Sequence, residues 1–166
     1  MRVEQEDDEM RIILDGMGGD NAPAAVVEGA VLAMKEMPHE IVFVGQEEVI
    51  REELKKYKYN EAQVSIVDAR EVISNDEAPV RAVRSKKDSS IVKGINMVKN
   101  GEGDIFISAG STGALLSGGL FILGRIQGID RPALACIYPI VGGRASLLVD
   151  AGANSECKPN NLLEFG

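Results

Sequence analysis

The sequence predicts an α/β fold whose sheet is mostly parallel and covered by helices on both faces. Short aliphatic runs alternate along the chain with longer segments of helical periodicity. These runs are continuously apolar, which is typical of strands that are buried on both faces. Several of them end in a polar residue followed by small residues, as expected where parallel strands lead into their helices.

Size and charge exclude several protein classes. The chain has 166 residues, a formal net charge of −8 and 4% aromatic residues. This length suffices for one domain with a core. An acidic chain with few aromatic residues is a poor nucleic-acid binder, so we expect no nucleic-acid partner. No apolar run is long enough for a membrane span and no export signal is visible, which favours a cytoplasmic protein with reduced, buried thiols.

The chain divides at about residue 10. Residues 1–9 contain one Arg, five acidic residues and almost nothing to bury. We therefore predict a flexible acidic leader over 1–9 and one α/β domain over 10–166.

The first half of the domain alternates strands and helices. The first apolar run ends at Asp15, and a glycine loop leads from it into a helix capped by Asn21 or Ala22. The other predicted elements of this half are a strand at 40–45, a surface helix at 46–58 and a strand at 64–67.

One helix stands out in the second half of the domain. It is predicted over 112–127, and its apolar residues surround it instead of forming one stripe. A helix that is apolar on all sides is central or lies in an interface. The other predicted elements are a helix or ordered loop at 80–87, a helix capped by Asp88 or Ser89, strands at 104–108, 132–139 and 146–150, and a last helix that opens at 158.

Three predicted strands end in loops of the same style, at Asp15, at Ser108 and at Asp150. In an open parallel sheet such strand ends face the ligand crevice. The loop at 108–113 also opens a helix, whose first N–H groups are unpaired and attract anions. A glycine turn with a purely connecting role explains any one loop about equally well, but three similar loops favour a phosphate or oxyanion site.

Other cofactor and metal sites fit poorly. The loop at 16–21 has only part of a dinucleotide-binding fingerprint, because Asn21 stands where the third glycine belongs, and no nucleoside-triphosphate loop occurs. No spacing of acidic residues, Cys or His specifies a metal site. We expect no cofactor and no metal.

A basic cluster at 81–87 contrasts with the acidic chain. It is either a solvated helix face or a receptor for phosphate or an acidic partner.

No nucleophile with a base is visible, because the single histidine, His39, is expected far from the strand ends. A reaction of phosphate with a thioester needs neither, since phosphate is already an anion and a thiol leaves readily. Such a reaction mainly needs positioning and oxyanion donors.

Several motifs together resemble one family. They are DGMGGDNAP at 15–23, SKKDSS at 85–90, SAGSTGALL at 108–116, GIDRPA at 128–133, DAGAN at 150–154 and CKP at 157–159. In this order and register, from residue 10 to 166, they closely resemble the phosphate acyltransferase (PlsX) family. Family members continue well beyond the point that matches Gly166, so the resemblance implies an N-terminal part of a longer protein.

The resemblance implies a fold and a reaction. The fold is a Rossmann-like three-layer αβα sandwich related to isocitrate and isopropylmalate dehydrogenases. The reaction forms acyl phosphate from acyl-acyl-carrier-protein and inorganic phosphate for bacterial phospholipid synthesis. The implied state is a cytoplasmic homodimer, peripheral at the membrane, that passes its product to a membrane glycerol-3-phosphate acyltransferase.

The hypothesis for the site has three groups of residues and no covalent nucleophile. Phosphate or the oxyanion is held by Ser108, Gly110, Ser111, Thr112 and Gly113, with Lys86 and Lys87 neutralising phosphate or helping to dock the carrier protein. The orienting residues are Asp15, Asn21, Asp88, Asp150 and Asn154, and Arg81, Arg84 and Lys158 are candidates for carrier-protein docking. Two alternatives stay open: a phosphate acetyltransferase-like enzyme that uses acyl-coenzyme A, and a truncated, non-catalytic module for carrier-protein binding or dimerisation.

Overall fold

The computed structural model describes residues 9–129, 132–152 and 156–165. The strands are β1 (Arg11–Asp15), β2 (Glu40–Gly45), β3 (Val64–Asp68), β4 (Ile105–Ile107), β5 (Ala135–Ile140) and β6 (Arg144–Val149). The helices are α1 (Ala24–Ala33), α2 (Glu47–Leu54), α3 (Pro79–Ser85), α4 (Ser90–Lys99), α5 (Thr112–Gly118) and α6 (Pro159–Phe165). A 3₁₀ turn at Glu61–Gln63 precedes β3, and a π-helical turn at Gly119–Leu123 follows α5.

The first four strands form a parallel sheet in the order β3-β2-β1-β4. β1 therefore has two parallel neighbours, with Ile12 beside Ile41 of β2 and beside Ile105 of β4. Crossing helices connect these strands, as parallel pairing requires. The predicted α/β class with a mostly parallel sheet is confirmed.

Both faces of this sheet are covered. In β2, Ile41 and Phe43 pack into one core with α1 and α2, whereas Val42 and Val44 pack into a core on the opposite face beside Met97 of α4. Successive side chains of a strand point to opposite faces, so a continuous apolar run fills two cores at once. The result is three layers, helix–sheet–helix, as expected of the αβα sandwich.

A second cluster on the α4 face joins three helices. Val83 of α3, Ile91 and Ile95 of α4, and Ala114 of α5 are all buried in it. Glycine lets these elements come close: a Cβ at Gly113 would lie 2.7 Å from Pro79 Cγ, nearer than real Cβ contacts allow. The first turn of α5 is thereby held against the first turn of α3.

The predicted helix over 112–127 is shorter than expected. Its regular part ends at Gly118, the backbone widens into the π-helical turn, and Gly124 follows with a φ of 95°. A positive φ is a conformation in which glycine ends helices. The cap of α1 also differs from the prediction, because Pro23 takes that position instead of Asn21 or Ala22. The cap of α4 is Ser89, one of the two predicted residues.

The last two strands are paired with each other and not with the parallel sheet. β5 and β6 form an antiparallel hairpin in which Ile137 is 77% exposed. The expectation of buried thiols is wrong for Cys157, which is exposed shortly before α6, while Cys136 in β5 is half-buried. The predicted leader lies almost wholly outside the described residues.

Candidate functional site

The candidate site lies where β1 and β4 end. From β1 the chain proceeds to β2 on one side, while β4 occupies the other side, so the strand order reverses between β1 and β4. In open α/β sheets a ligand crevice forms at such a switch point, at the carboxyl ends of the strands. Leu14 is paired with Ile107. The residues that follow them, Asp15 and Ser108, therefore face each other across the crevice.

A hydrogen-bonded network joins the two strand ends. The Ser108 hydroxyl donates to Asp15 Oδ2 at 2.7 Å, and Ser108 Oγ accepts the N–H of Gly110 at 3.1 Å. The other carboxyl oxygen of Asp15 accepts the N–H of Met17 at 3.1 Å. Asp15 is 1% exposed, and a buried carboxyl group needs such partners. The two predicted residues thus form one rigid unit.

This geometry changes what Ser108 offers to a ligand. A serine hydroxyl has a single hydrogen to donate, and that of Ser108 is directed at Asp15. Ser108 is therefore arranged to hold the loop and not to donate to an anion while this bond persists.

The two glycine loops are in close contact. A Cβ on Gly18 would lie 2.8 Å from the N of Gly110 and would collide with the Asp15 carboxyl group. A Cβ on Gly110 would lie 3.2 Å from the Cα of Gly18. Nothing larger than hydrogen fits at Gly18, so backbone contact between the loops depends on glycine there. Asn21 lines the same crevice as Asp15.

The first turn of α5 contains the N–H groups that were predicted to hold an anion. Ser111 is buried and caps this helix, with its Oγ accepting the N–H of Ala114 at 3.3 Å. Within the described residues, the N–H groups of Thr112 and Gly113 make no hydrogen bond. Unpaired N–H groups at a helix start carry partial positive charge. Thr112 is exposed, so this end of α5 lies at the surface of the described chain.

The two predicted lysines are engaged elsewhere. Lys86 Nζ donates to the carbonyl oxygen of Val72 and to Glu77 Oε1, both at 2.7 Å, and Lys87 Nζ donates to the carbonyl oxygen of Val83 at 3.2 Å. The Lys86 ammonium, followed by the Ser74 N–H, lowers the pKa of Glu77. Both ammonium groups are hydrogen-bonded to these partners, and the ligand roles of both lysines stay predictions.

Asp88 lies at the other edge of the sheet. It accepts the N–H of Arg70 at 3.2 Å, just after β3, and forms an ion pair with Lys93. The Lys93 ammonium, followed by the Arg70 N–H, lowers the pKa of Asp88. β3 and β4 are the two edge strands of the parallel sheet, so Asp88 and Ser108 are on opposite edges and not in one cluster.

The predicted docking residues differ in their contacts. Arg81 lines a shallow depression with Glu77, and the Arg84 guanidinium carbon lies 5.1 Å from the ring centroid of Phe121. An arginine above an aromatic ring is a cation–π contact, and here it ties α3 to the π-helical turn. Lys158 is exposed before α6.

The third predicted loop follows the hairpin. Asp150 has a φ of 63°, and its Oδ2 accepts the thiol of Cys157 at 3.3 Å. Asn154 lies outside the described residues. The orienting roles of Asp150 and Asn154 stay predictions.

Sequence reasoning missed two parts of this region. Glu77 was not predicted as the partner of Lys86, because no local pattern links two residues nine positions apart that flank α3. Gly18 was predicted only as part of a loop, although a cluster of glycines after a strand end is a signal for close backbone approach. Among the described residues no group of three or more His, Cys, Asp or Glu side chains is placed to hold a metal ion.

Comparison with known families decides the membership of the chain. A family model described as fatty acid synthesis protein matches residues 10–166. The chain belongs to this family. A phosphate acyltransferase of Clostridioides difficile is 51% identical over 156 residues, which is 94% of this chain and 46% of the relative. A phosphate acyltransferase of Alkaliphilus oremlandii is 54% identical over 157 residues, 95% of this chain and 47% of the relative.

The predicted family is thereby confirmed, and the chain spans about half the length of the curated relatives it matches. A solved structure shares the fold of this family member: a phosphotransacetylase from Streptococcus pyogenes has a TM-score of 0.66 and 22% identity. The match covers 95% of this chain and 51% of the phosphotransacetylase chain. In the part of the chain that the structure describes, no helix combines the length and apolarity that crossing a bilayer requires.

Proposed function

We propose that this chain forms part of a phosphate acyltransferase that makes acyl phosphate from acyl-acyl-carrier-protein and inorganic phosphate. The observation that carries the proposal is the Asp15–Ser108 unit, which holds the loop before α5 and its two unpaired N–H groups at the sheet's switch point. The names of the relatives supply the class of reaction, and the thioester donor is our inference.

The chemistry needs few groups. A phosphate oxygen attacks the thioester carbonyl carbon, a C–O bond forms, and the carbonyl oxygen becomes an oxyanion. The C–S bond then breaks, and the carrier's thiolate leaves with the electron pair and takes a proton from water. The N–H groups of Thr112 and Gly113 stabilise the oxyanion or the phosphate, and such preorganised donors are a large term in acyl transfer.

Asp15 and Ser108 act in this scheme as positioning residues. Their hydrogen bond holds the turn from which the donors project, and Ser111 contributes its hydroxyl hydrogen from the cap of α5. Asn21, Asp150 and Asn154 complete the crevice from the neighbouring loops in our proposal. Positioning of this kind is effective only when the site is rigid.

Partners and location follow the same proposal. The carrier protein is acidic, and Arg81 with Lys158 provides exposed positive charge for it. Lys86 and Lys87 retain a role in neutralising phosphate if ligand binding frees them from their present partners. A cytoplasmic homodimer, peripheral at the membrane, that hands acyl phosphate to a glycerol-3-phosphate acyltransferase completes the proposed role in phospholipid synthesis.

A second candidate is an enzyme that acts on acyl-coenzyme A. The observation in its favour is the fold shared with a phosphotransacetylase. The two candidates differ in the thioester that they accept. A third, a non-catalytic module for carrier-protein binding or dimerisation, predicts binding without turnover.

Trapping of acyl phosphate with hydroxylamine separates these candidates. The assay is run on this chain and on the Clostridioides difficile relative, and any substitution tested below is made at the matching position of both. Each protein is supplied with phosphate and either long-chain acyl-carrier-protein or acetyl-coenzyme A. We expect phosphate-dependent hydroxamate from the carrier-protein thioester. Hydroxamate from acetyl-coenzyme A alone supports the second candidate, and none from either protein contradicts the proposal.

The donors are tested at Thr112. Thr112→Pro removes one N–H at the first position of a helix, where proline is tolerated, and Ser111 before it already has an extended ψ of 110°. Thr112→Val removes only the hydroxyl and is the control. Loss of one oxyanion donor costs about 10²–10³ in rate, so we expect that loss for the proline variant alone. Equal rates in the two variants would contradict the donor assignment.

A further inference from the structure

An apolar groove runs along α5 and the π-helical turn. It has a volume of about 360 Å³, and the helical wall is lined by Leu115, Leu116, Leu120 and Leu123. The opposite wall comes from the segment after Gly124, including Ile126 and Leu134. Apart from Thr112, no residue that lines this groove takes part in the proposed phosphate chemistry.

We propose that the groove binds the acyl chain of the substrate, with the carboxyl end of that chain at Thr112. The assignment rests on the proposed function, and it adds where the apolar part of the substrate lies. Its first support is continuity: Thr112 lines the groove and also carries one of the two unpaired N–H groups. The apolar surface and the anion donors therefore meet at one residue.

The chemistry of the lining gives the second support. Apart from Thr112 and Arg125, every residue that lines the groove is apolar or glycine. Such a surface takes a hydrocarbon chain and offers nothing to a nucleotide, which needs polar partners for its base, ribose and phosphates. It also accounts for the helix that is apolar on all sides, since one side packs on α4 and another faces the groove.

The size of the groove agrees with a chain of fatty-acid length. A methylene group has roughly the size of a water molecule, whose share of liquid volume is about 30 Å³. The groove therefore has room for on the order of ten such groups. A two-carbon acyl group would leave most of it empty.

Gly119 provides a way to fill the groove without strain. It lines the groove, its backbone is helical with a φ of −55°, and a Cβ there would meet nothing within 4 Å. Gly119→Leu therefore places a side chain in the groove. Gly29 is the matched control, because it is also a helical glycine with open space around its Cβ but lies in α1 and lines the crevice at Asp15 instead of the groove.

The test measures binding of fatty acids directly and needs no turnover. Octanoate, dodecanoate and hexadecanoate displace a fluorescent fatty acid from the chain, and a diazirine-bearing hexadecanoate marks the residues that it contacts. We expect affinity to rise about fourfold per methylene until the groove is full. We expect labelling within residues 112–134, loss of more than tenfold in affinity for Gly119→Leu, and unchanged affinity for Gly29→Leu. Circular dichroism confirms that both variants are folded.

Three results would overturn the assignment. The first is labelling outside the groove, and the second is equal affinities for the two variants. The third is a change of sedimentation mass in Gly119→Leu without a change in fatty-acid affinity, because a second copy of the chain would then be the occupant. Groove-specific binding without acyl phosphate formation would support the assignment and contradict the proposed reaction, so the two failures are distinguishable.

Discussion

The Ser108 hydroxyl donates a 2.7 Å hydrogen bond to the Asp15 carboxyl group, although 93 positions separate the two residues. The contact arises because β1 and β4 are parallel neighbours whose registered pairs end one residue earlier. It joins the glycine loop after β1 to the turn before α5. The relative position of the two loops in the candidate site therefore depends on this long-range hydrogen bond.

The Asp15–Ser108 bond predicts a measurable coupling. Asp15→Ala leaves the Ser108 hydroxyl and the Met17 N–H without their partner, and a loss of this kind costs about 1–3 kcal/mol. In a double-mutant cycle with Ser108→Ala, urea unfolding should give a coupling free energy of about 0.5–3 kcal/mol. Additive losses would show that the two side chains do not stabilise each other.

Close packing of the loops predicts a large effect at Gly18. Gly18→Ala puts a methyl group against the N of Gly110 and the Asp15 carboxyl group. Overpacking of this kind costs about 1–3 kcal/mol, and the loops must separate to relieve it. We expect a lower free energy of unfolding together with faster amide exchange at Gly110. Unchanged exchange at Gly110 would contradict contact between the loops.

Two helical glycines should respond oppositely to the same substitution. At Gly94 a Cβ would lie 2.6 Å from Cδ2 of Phe106, so Gly94→Ala should lower the free energy of unfolding by about 1–3 kcal/mol. Gly29 has open space, so Gly29→Ala should raise it by about 0.5–1 kcal/mol. Urea titration measures both, and a loss at Gly29 would show that its surroundings are closed.

The pairing of Glu77 with Lys86 predicts sensitivity to acid. The pKa of Glu77 is lower in the folded chain than its ordinary value, because its carboxyl group accepts hydrogen bonds from Lys86 and from the Ser74 N–H. A lowered folded pKa contributes stability that is complete above about pH 4.3 and is lost as pH falls through the folded pKa. Glu77→Gln should therefore lower stability at neutral pH and flatten its acid dependence.

The control for this acid sensitivity is Glu52→Gln. Glu52 pairs with Lys55 at 2.6 Å, but both side chains are about 70% exposed. Solvent screens such a pair, so its substitution should change the acid limb less than Glu77→Gln does. Free energies of unfolding measured from neutral to acid pH compare the two. Equal effects would mean that the Glu77 pair behaves as an ordinary surface pair.

Local patterns predicted the strands and most helices of the first half. The apolar runs that end at Asp15 and Gly45 are strands because they pack into cores on both faces of the sheet. The cap at Ser89 was among the predicted positions, because a serine before an apolar helical stretch satisfies that helix's first N–H groups. The same reasoning gave the wrong end for the helix predicted over 112–127. Gly118 and Gly119 weaken the helix locally, so the position of its end depends on tertiary packing.

Candidate site residues were predictable by type more than by contact. Asp15 and Ser108 were each predicted at a strand end, and the strand order brings them together. Lys86 was predicted beside phosphate from its charge alone, and the structure engages it with Glu77. The charge of a side chain determines which groups it can bind. Which partner it contacts depends here on the path of the segment before α3, which carries Glu77.

By itself the sequence determined the alternation of strands and helices, the glycine loops at the strand ends and the family, because each is encoded in a contiguous pattern. Only the tertiary structure decided that β4 lies beside β1, that the Ser108 hydroxyl donates to Asp15, and that Thr112, whose N–H is unpaired, lines an apolar groove. These relationships join residues that are distant in the chain. They follow from the way whole strands and helices pack together, and a short segment of sequence does not contain that information.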